Sequence, residues 1–125
     1  MSTIEVLDKE IRKYDGITDG LVACITYSED EKEKYLINVC IVDDMLLPGY
    51  FVTEDKRLFD FEATPWSEIS EEDSKLMDRM EKKAHFPETE EEIELAKLSI
   101  RMIKEKCLEM NLMSKEQLDE ETDFC

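Results

Sequence analysis

Two segments rich in β-branched and aromatic residues constrain the fold of this chain more than any other feature. Residues 21–27 and 35–42 have the composition of strands, and the short charged segment 28–34 between them predicts an antiparallel hairpin. If Tyr27 faces Tyr35, the odd-numbered residues of both strands form a wholly apolar face, which we expect to meet the core. The even-numbered face is mixed, so it is either thinly covered or exposed.

A second pair of short segments predicts two further strands. Residues 50–53 and 57–61 are rich in aromatic residues and flank the charged residues 54–56. Pro48-Gly49 breaks the chain just before the first of them. Together with the first hairpin, these segments predict a four-stranded antiparallel meander.

Helical periodicity lies on either side of the predicted strands. A capping box from Ser2 to Glu5 precedes apolar residues spaced three and four apart as far as Tyr14, which predicts an N-terminal helix. After the strands, capping signals predict helices that begin at Thr64, Thr89 and Ser114. The second of these three helices is the longest.

This order of elements predicts an α+β fold. We expect residues 1–118 to form a single domain, with an N-terminal helix, the four-stranded antiparallel meander, and two to three C-terminal helices packed on one face of the sheet. Residues 119–125 are an acidic tail that we expect to be frayed. A chain of 125 residues has the size of one ordinary domain.

The longest predicted helix carries apolar residues on two sides. One stripe has heptad spacing and consists of Ile93, Ala96, Ile100, Ile103, Cys107 and Met110. The second stripe consists of Leu95, Leu98 and Met102. The favoured interpretation is a central helix between the sheet and a neighbouring helix. The alternative is that Leu95, Leu98 and Met102 form the face of a homodimer.

Residues that could support catalysis or bind a metal are few and dispersed. His85 is the single histidine, and its position before Phe86-Pro87 predicts a turn residue that caps the C-terminal end of a helix. The cysteines lack the spacing of a zinc site and are expected to be reduced thiols: Cys24, Cys40, Cys107 and Cys125. No glycine-rich phosphate loop is present. We therefore expect no catalytic residue, no metal and no cofactor, with an unrecognised small enzyme as a remaining alternative.

The charge of the chain excludes several classes of partner. There are 33 acidic residues against 16 basic ones, and the net charge is −17. Such a charge opposes direct binding to nucleic acid and to anionic lipid. No stretch has the length and hydropathy of a transmembrane helix, and no secretion signal is recognisable, so we expect a cytoplasmic location without membrane contact.

Acidic residues are densest around the first two of the predicted C-terminal helices. The predicted partner-binding residues are Glu68, Glu71, Glu72, Asp73, Asp78, Glu88, Glu90, Glu91, Glu92 and Glu94. The charge exceeds what a small domain needs for solubility, and it suits a strongly basic partner. We therefore expect a non-enzymatic inhibitor or neutralising protein that mimics the charge of nucleic acid and binds a basic, nucleic-acid-handling protein.

In its general type the chain resembles anti-defence proteins and immunity proteins against nuclease toxins, which are short, acidic and poor in motifs. No family motif supports a closer match. The alternative from another class is a structural or adaptor subunit that assembles through the longest helix. Solubility alone remains a third explanation of the acidity.

Overall fold

Four strands joined in chain order form one antiparallel sheet in the computed structural model, which describes residues 4–15, 19–42 and 45–119. The strands are β1 (Ile4–Asp15), β2 (Asp19–Glu29), β3 (Lys32–Val42) and β4 (Leu46–Thr53). The helices are α1 (Arg57–Glu62), α2 (Glu71–Lys83), α3 (Glu90–Glu109) and α4 (Lys115–Asp119), with a single 3₁₀ turn at Trp66–Glu68. The predicted α+β class and four-stranded antiparallel sheet are confirmed, although one of the four strands, β1, is not a predicted segment and the predicted strand at 57–61 is a helix.

The first element is a strand, so the predicted N-terminal helix is wrong. A bulge between Val6 and Asp8 interrupts the alternation of side chains along β1. Because of it, Ile4 and Ile11 pack on the same side of the sheet, although residues an odd number apart lie on opposite sides of a regular strand. A separation of seven residues on one face is also two turns of helix, which explains the wrong prediction. The Ser2-Thr3 part of the predicted capping box lies outside the described residues.

A two-residue turn sets the register of the central hairpin. Asp30 and Glu31 have φ angles of 51° and 69°, the pattern of tight turns whose twist matches that of paired strands. The turn places Tyr27 opposite Lys34 and not opposite Tyr35, which is one residue away from the predicted register. Odd-numbered residues of β2 therefore share a face with even-numbered residues of β3.

Helices cover both faces of the sheet, which corrects the prediction that they pack on one face. α3 and α4 cover one face through apolar clusters that include Leu21, Ile25, Leu36, Leu95, Ile100, Ile103 and Leu118. α1 and α2 cover the other face through a cluster that includes Val22, Cys24, Ile37, Leu58, Phe59 and Met80. The register is the physical reason, because in this pairing both faces of the central strands are apolar and each requires a cover.

The segment predicted as the last strand, residues 57–61, lies in α1. The carboxylate of Asp55 accepts hydrogen bonds from the backbone N–H of Arg57 at 3.0 Å and from its guanidinium at 2.7 Å. These bonds fix the chain reversal that starts the helix, and they hold the pKa of Asp55 below its usual value. Leu58 and Phe59 are then buried against the sheet instead of extending it.

The fourth strand of the sheet is β1, whereas β4 contains the predicted strand at 50–53 but begins earlier and runs through Pro48-Gly49. Proline has no N–H to donate, and it is tolerated in a sheet mainly on edge strands. β4 pairs with β3 on one side only, so the proline lies at such an edge. The predicted break at this dipeptide is therefore wrong.

Two of the three predicted helix starts are confirmed. Thr89 and Glu92 form a reciprocal capping box at the start of α3, and Ser114 forms the equivalent pair with the residue three positions later. Thr64 does not begin a helix; α2 begins after Ser70, whose side chain accepts the hydrogen bond of an N-cap. Of the predicted acidic tail, residues 120–125 lie outside the described residues.

Both apolar stripes of α3 contact the sheet. Ile100 and Ile103 are buried, and Leu95 of the second stripe is only 5% exposed. Leu98 and Met102 are half-buried and pack against the same clusters. Much of the surface that the possible oligomer face could offer to a second chain is thus used within the domain.

Candidate functional site

A surface cavity of about 420 Å³ lies where β4 ends. Its lining is mostly charged and consists of Lys34, Val52, Thr53, Glu54, Asp55, Lys83 and His85. Two of these charges are matched by close partners: Lys34 Nζ lies 2.9 Å from the carboxylate of Glu29, and Asp55 lies 2.7 Å from the guanidinium of Arg57. The cavity has neither the apolar lining typical of small-molecule pockets nor a single sign of charge.

His85 connects three elements at this cavity. Its backbone forms two hydrogen bonds with Val52 of β4, at 2.8 and 3.1 Å, which close part of the outer edge of that strand. Its ring Nδ1–H donates to the carbonyl oxygen of Phe86 at 2.7 Å, and Nε2 lies 3.7 Å from Oε2 of Glu92. The ring therefore contacts the linker and α3, and it does not cap α2 as predicted.

Glu92 is a buried structural carboxylate and not a surface residue. Its Oε1 accepts hydrogen bonds from the backbone N–H groups of Glu88 at 3.1 Å and Thr89 at 3.0 Å. Burial by itself raises the pKa of Glu92, but these hydrogen bonds and the nearby His85 outweigh it and hold the pKa below its usual value. Of the predicted partner-binding residues, Glu92 is thus the one whose carboxylate the fold uses internally.

The negative charge of Glu92 also acts on Tyr27, which belongs to the apolar cluster between the sheet and α3. The hydroxyl of Tyr27 is buried and finds no hydrogen-bond partner among the described residues. Burial raises its pKa, and the charges of Glu92 and Glu29 raise it further. The phenol is therefore neutral at physiological pH.

The contacts of His85 and Glu92 support a structural role better than a chemical one. Both ring nitrogens face oxygen atoms of the protein, and one carboxylate oxygen is occupied by two backbone donors. Within the described part of the chain, no serine or cysteine lines the cavity as a nucleophile. The pair ties the edge of β4 to the start of α3.

The predicted partner-binding residues separate into two groups. Glu68, Glu71, Glu72 and Asp73 lie at the start of α2, whereas Glu88, Glu90, Glu91 and Glu94 lie at the start of α3. α2 rises about 18 Å between them at 1.5 Å per residue, and the two helices lie on opposite faces of the sheet. The predicted continuous acidic surface is therefore divided.

Ion pairs reduce the charge of some of these residues. Glu71 lies 3.6 Å from Lys75, Asp78 lies 3.5 Å from Lys82, and Glu94 lies 3.5 Å from Lys97. All three pairs are exposed pairs along a helix, which contribute little to stability but lower the local field.

The structure adds carboxylates from two other segments to the group at the start of α3. Tyr35 at the start of β3 pairs with Thr53 at the end of β4, which brings the β2–β3 turn and residue 54 to the same end of the sheet. The bridge from Val52 to His85 places the start of α3 at this end as well. We call this surface the acidic end; it comprises Asp30, Glu31, Glu33, Glu54, Glu88, Glu90, Glu91 and Glu94.

Sequence reasoning did not find the contribution of the turn and of Glu54. Residues 29–33 and 88–94 are far apart in the sequence, and their proximity depends on the register of the meander and on the bridge at His85. The predicted meander already places the turn and residue 54 at one end of the sheet, but the bridge from Val52 to His85, which adds the start of α3, leaves no signal in the sequence.

The thiols and the charged clusters of the described residues offer no metal site. Cys24, Cys40 and Cys107 are buried, and burial raises the pKa of Cys24 to about 12. Within residues 4–15, 19–42 and 45–119, no group of three or more His, Cys, Asp or Glu side chains is arranged to hold a metal ion. Cys125 lies outside the described residues. Among the helices of this part of the chain, none has the length and apolar character needed to cross a membrane.

No protein-family model, no curated protein and no solved structure matches this chain.

Proposed function

We propose that this protein binds a strongly basic, nucleic-acid-handling protein through the acidic end and acts as a non-enzymatic inhibitor or neutralising partner. The observation that carries the proposal is the convergence of carboxylates from three separate segments on one end of a domain with a net charge of −17. Concentrated charge of one sign steers a partner of the opposite sign and selects against other partners.

The elements that carry the acidic end are held in place by local hydrogen bonds. The capping box of Thr89 and Glu92 fixes the start of α3, and the tight turn at Asp30 and Glu31 fixes the tip of the hairpin. Seven of the eight carboxylate-bearing residues are exposed, and Glu91 is half-buried. Charges on fixed elements lose less conformational entropy on binding than charges on a disordered tail.

A surface that binds the phosphate backbone carries lysine and arginine side chains and depends strongly on salt. Carboxylates held on a rigid end offer the same kind of ligand, negatively charged oxygen atoms, to such a surface. The protein and a nucleic acid therefore compete for it.

Two charge-matched variants test this proposal. The first neutralises Glu54, Glu88, Glu90 and Glu91 as glutamines, all in the acidic end. The second neutralises Glu68, Glu71 and Glu72 as glutamines and Asp73 as asparagine, all at the start of α2. Both variants lose the same charge, so they separate a local surface from net charge alone.

The partner is captured from host extract at low salt on the wild-type protein, and its association rate with each variant is then measured. We expect the first variant to slow association about tenfold and the second to slow it less than about threefold, with both differences shrinking as salt rises. A DNA duplex is expected to displace the protein from its partner. Equal effects of the two variants, or binding that does not respond to salt, would contradict the proposal.

A further inference from the structure

Two glutamates meet at the contact between α1 and α2. Glu62 is the last residue of α1, and Glu81 lies in the last turn of α2. The Oε1 atom of Glu62 is enclosed by the protein and has no hydrogen-bond donor in the described part of the chain. The carboxyl group of Glu81 lies within hydrogen-bonding reach of Glu62.

Two ionised carboxylates in this position are unfavourable for two reasons. Each can only accept hydrogen bonds, so neither satisfies the buried oxygen of the other, and their charges repel. A single proton between them removes both problems, because one carboxyl then donates to the other. We propose that Glu62 and Glu81 share one proton near neutral pH, and that losing it at alkaline pH loosens α1 and the end of α2 from the sheet.

The pKa values support this arrangement. Burial raises the pKa of Glu62 to about 8, and the charge of Glu81 contributes in the same direction. Burial also raises the pKa of Glu81, and Asp78 adds to the shift. The pair therefore retains a proton at a pH at which an ordinary glutamate has lost it.

The charged groups on the neighbouring elements do not compensate the pair. Asp78, one turn earlier on α2, lies 3.5 Å from Lys82. Asp60 of α1 lies 2.8 Å from Arg12 of β1, so the charge of that arginine is already matched. On β2 the thiol of Cys24 is neutral, because burial raises its pKa to about 12. β4 has no charged residue.

The sign of the pH effect follows from the raised pKa. The folded protein holds a proton that the unfolded chain releases near pH 4.5, so the contribution to stability is complete below that pH. It is lost as the pH rises through about 8. Between these values the equilibrium constant for unfolding is expected to increase about tenfold per pH unit. The apolar side chains beneath the pair, Leu58, Phe59 and Met80, would become accessible as the cover loosens.

The decisive variant is Glu62→Gln, because its amide donates to Glu81 without any proton. Urea unfolding of the wild type, of Glu62→Gln and of the exposed control Glu72→Gln is measured from pH 5.5 to 7.5. In the wild type and the control, the equilibrium constant for unfolding is expected to increase about tenfold per pH unit. In Glu62→Gln the increase per pH unit is expected to be severalfold smaller. If Glu62→Gln retains the slope of the wild type, the proposal is wrong.

Two further measurements cover the case in which Glu62→Gln does not fold. Glu81→Gln makes the same replacement on the partner helix and is expected to flatten the profile equally. In the wild type, carbon-13 NMR of the Glu62 carboxyl is expected to show titration near pH 8, and amide exchange corrected for intrinsic rates is expected to accelerate in residues 57–62 above it. A carboxyl that titrates near pH 4.5 would overturn the proposal.

Discussion

Two buried junctions of this protein each contain a glutamate, and the two glutamates are in opposite states. Glu92, where β4 meets α3, accepts two backbone hydrogen bonds and faces a histidine, and its pKa is lowered. Glu62, where α1 meets α2, has an oxygen without a donor and faces another carboxyl, and its pKa is raised to about 8.

Burial raises the pKa of both residues, so burial does not explain the difference. What differs is the number of donors that the backbone supplies. A helix N-terminus has unpaired N–H groups that stabilise a carboxylate, whereas the last residue of a helix has none to offer. The position of an acid along a helix therefore decides whether a buried carboxyl stabilises the fold at high or at low pH.

The largest difference between the junctions is expected when each glutamate becomes leucine. Glu92→Leu leaves the N–H groups of Glu88 and Thr89 without their acceptor, so we expect it to lower the free energy of unfolding by about 2 kcal/mol. Glu62→Leu removes a buried acid that has no donor, so we expect it to be neutral or stabilising at pH 7. Urea unfolding measures both, and equal destabilisation would remove the contrast.

The next difference concerns pH. Because the pKa of Glu92 is lowered, its contribution to stability is present above pH 4.5 and is lost as the pH falls through the lower, folded value. Glu92→Gln is therefore expected to have a shallower loss of stability between pH 5 and pH 3 than the wild type. The control is Glu90→Gln, two residues earlier in α3 and exposed. A Glu92→Gln profile parallel to that of the wild type would contradict this assignment.

The smallest effect is expected from the ring of His85. Its Nε2 is 3.7 Å from Glu92, and the side chain is 47% exposed, so the ion pair is weak. His85→Gln is expected to lower stability by less than about 1 kcal/mol. Thermal unfolding of this variant and of the wild type measures the difference; a loss above about 2 kcal/mol would show that the ring has another role.

Composition was sufficient to predict the α+β class and the central hairpin, because long runs of β-branched residues are distinctive. It was not sufficient for β1, where the bulge near Leu7 makes the apolar spacing of a strand resemble that of a helix. It also failed for residues 57–61, where the hydrogen bonds that Arg57 donates to Asp55 override an aromatic, strand-like composition. In both cases a local feature, a bulge or a set of hydrogen bonds, determined the secondary structure and left no periodic pattern in the sequence.

The acidic residues at the start of α3 could be predicted from local density of charge. Their proximity to the turn could not, because it depends on the bridge between Val52 and His85. The Glu62 and Glu81 pair was also beyond sequence reasoning, since in a chain with 33 acids nothing distinguishes two that face each other from many that face water.

The turn at Asp30 and Glu31 has a consequence for how this chain could be redesigned. Glycine and asparagine adopt left-handed backbone conformations at the lowest cost, and Asn-Gly is the usual sequence of such a turn. This chain instead has two carboxylates there, at a conformational cost to the hairpin. An engineer seeking heat resistance would change these two positions early and would thereby remove charge from the acidic end. Under the proposed function, the hairpin tip is where thermostability and partner recognition make opposite demands on the sequence.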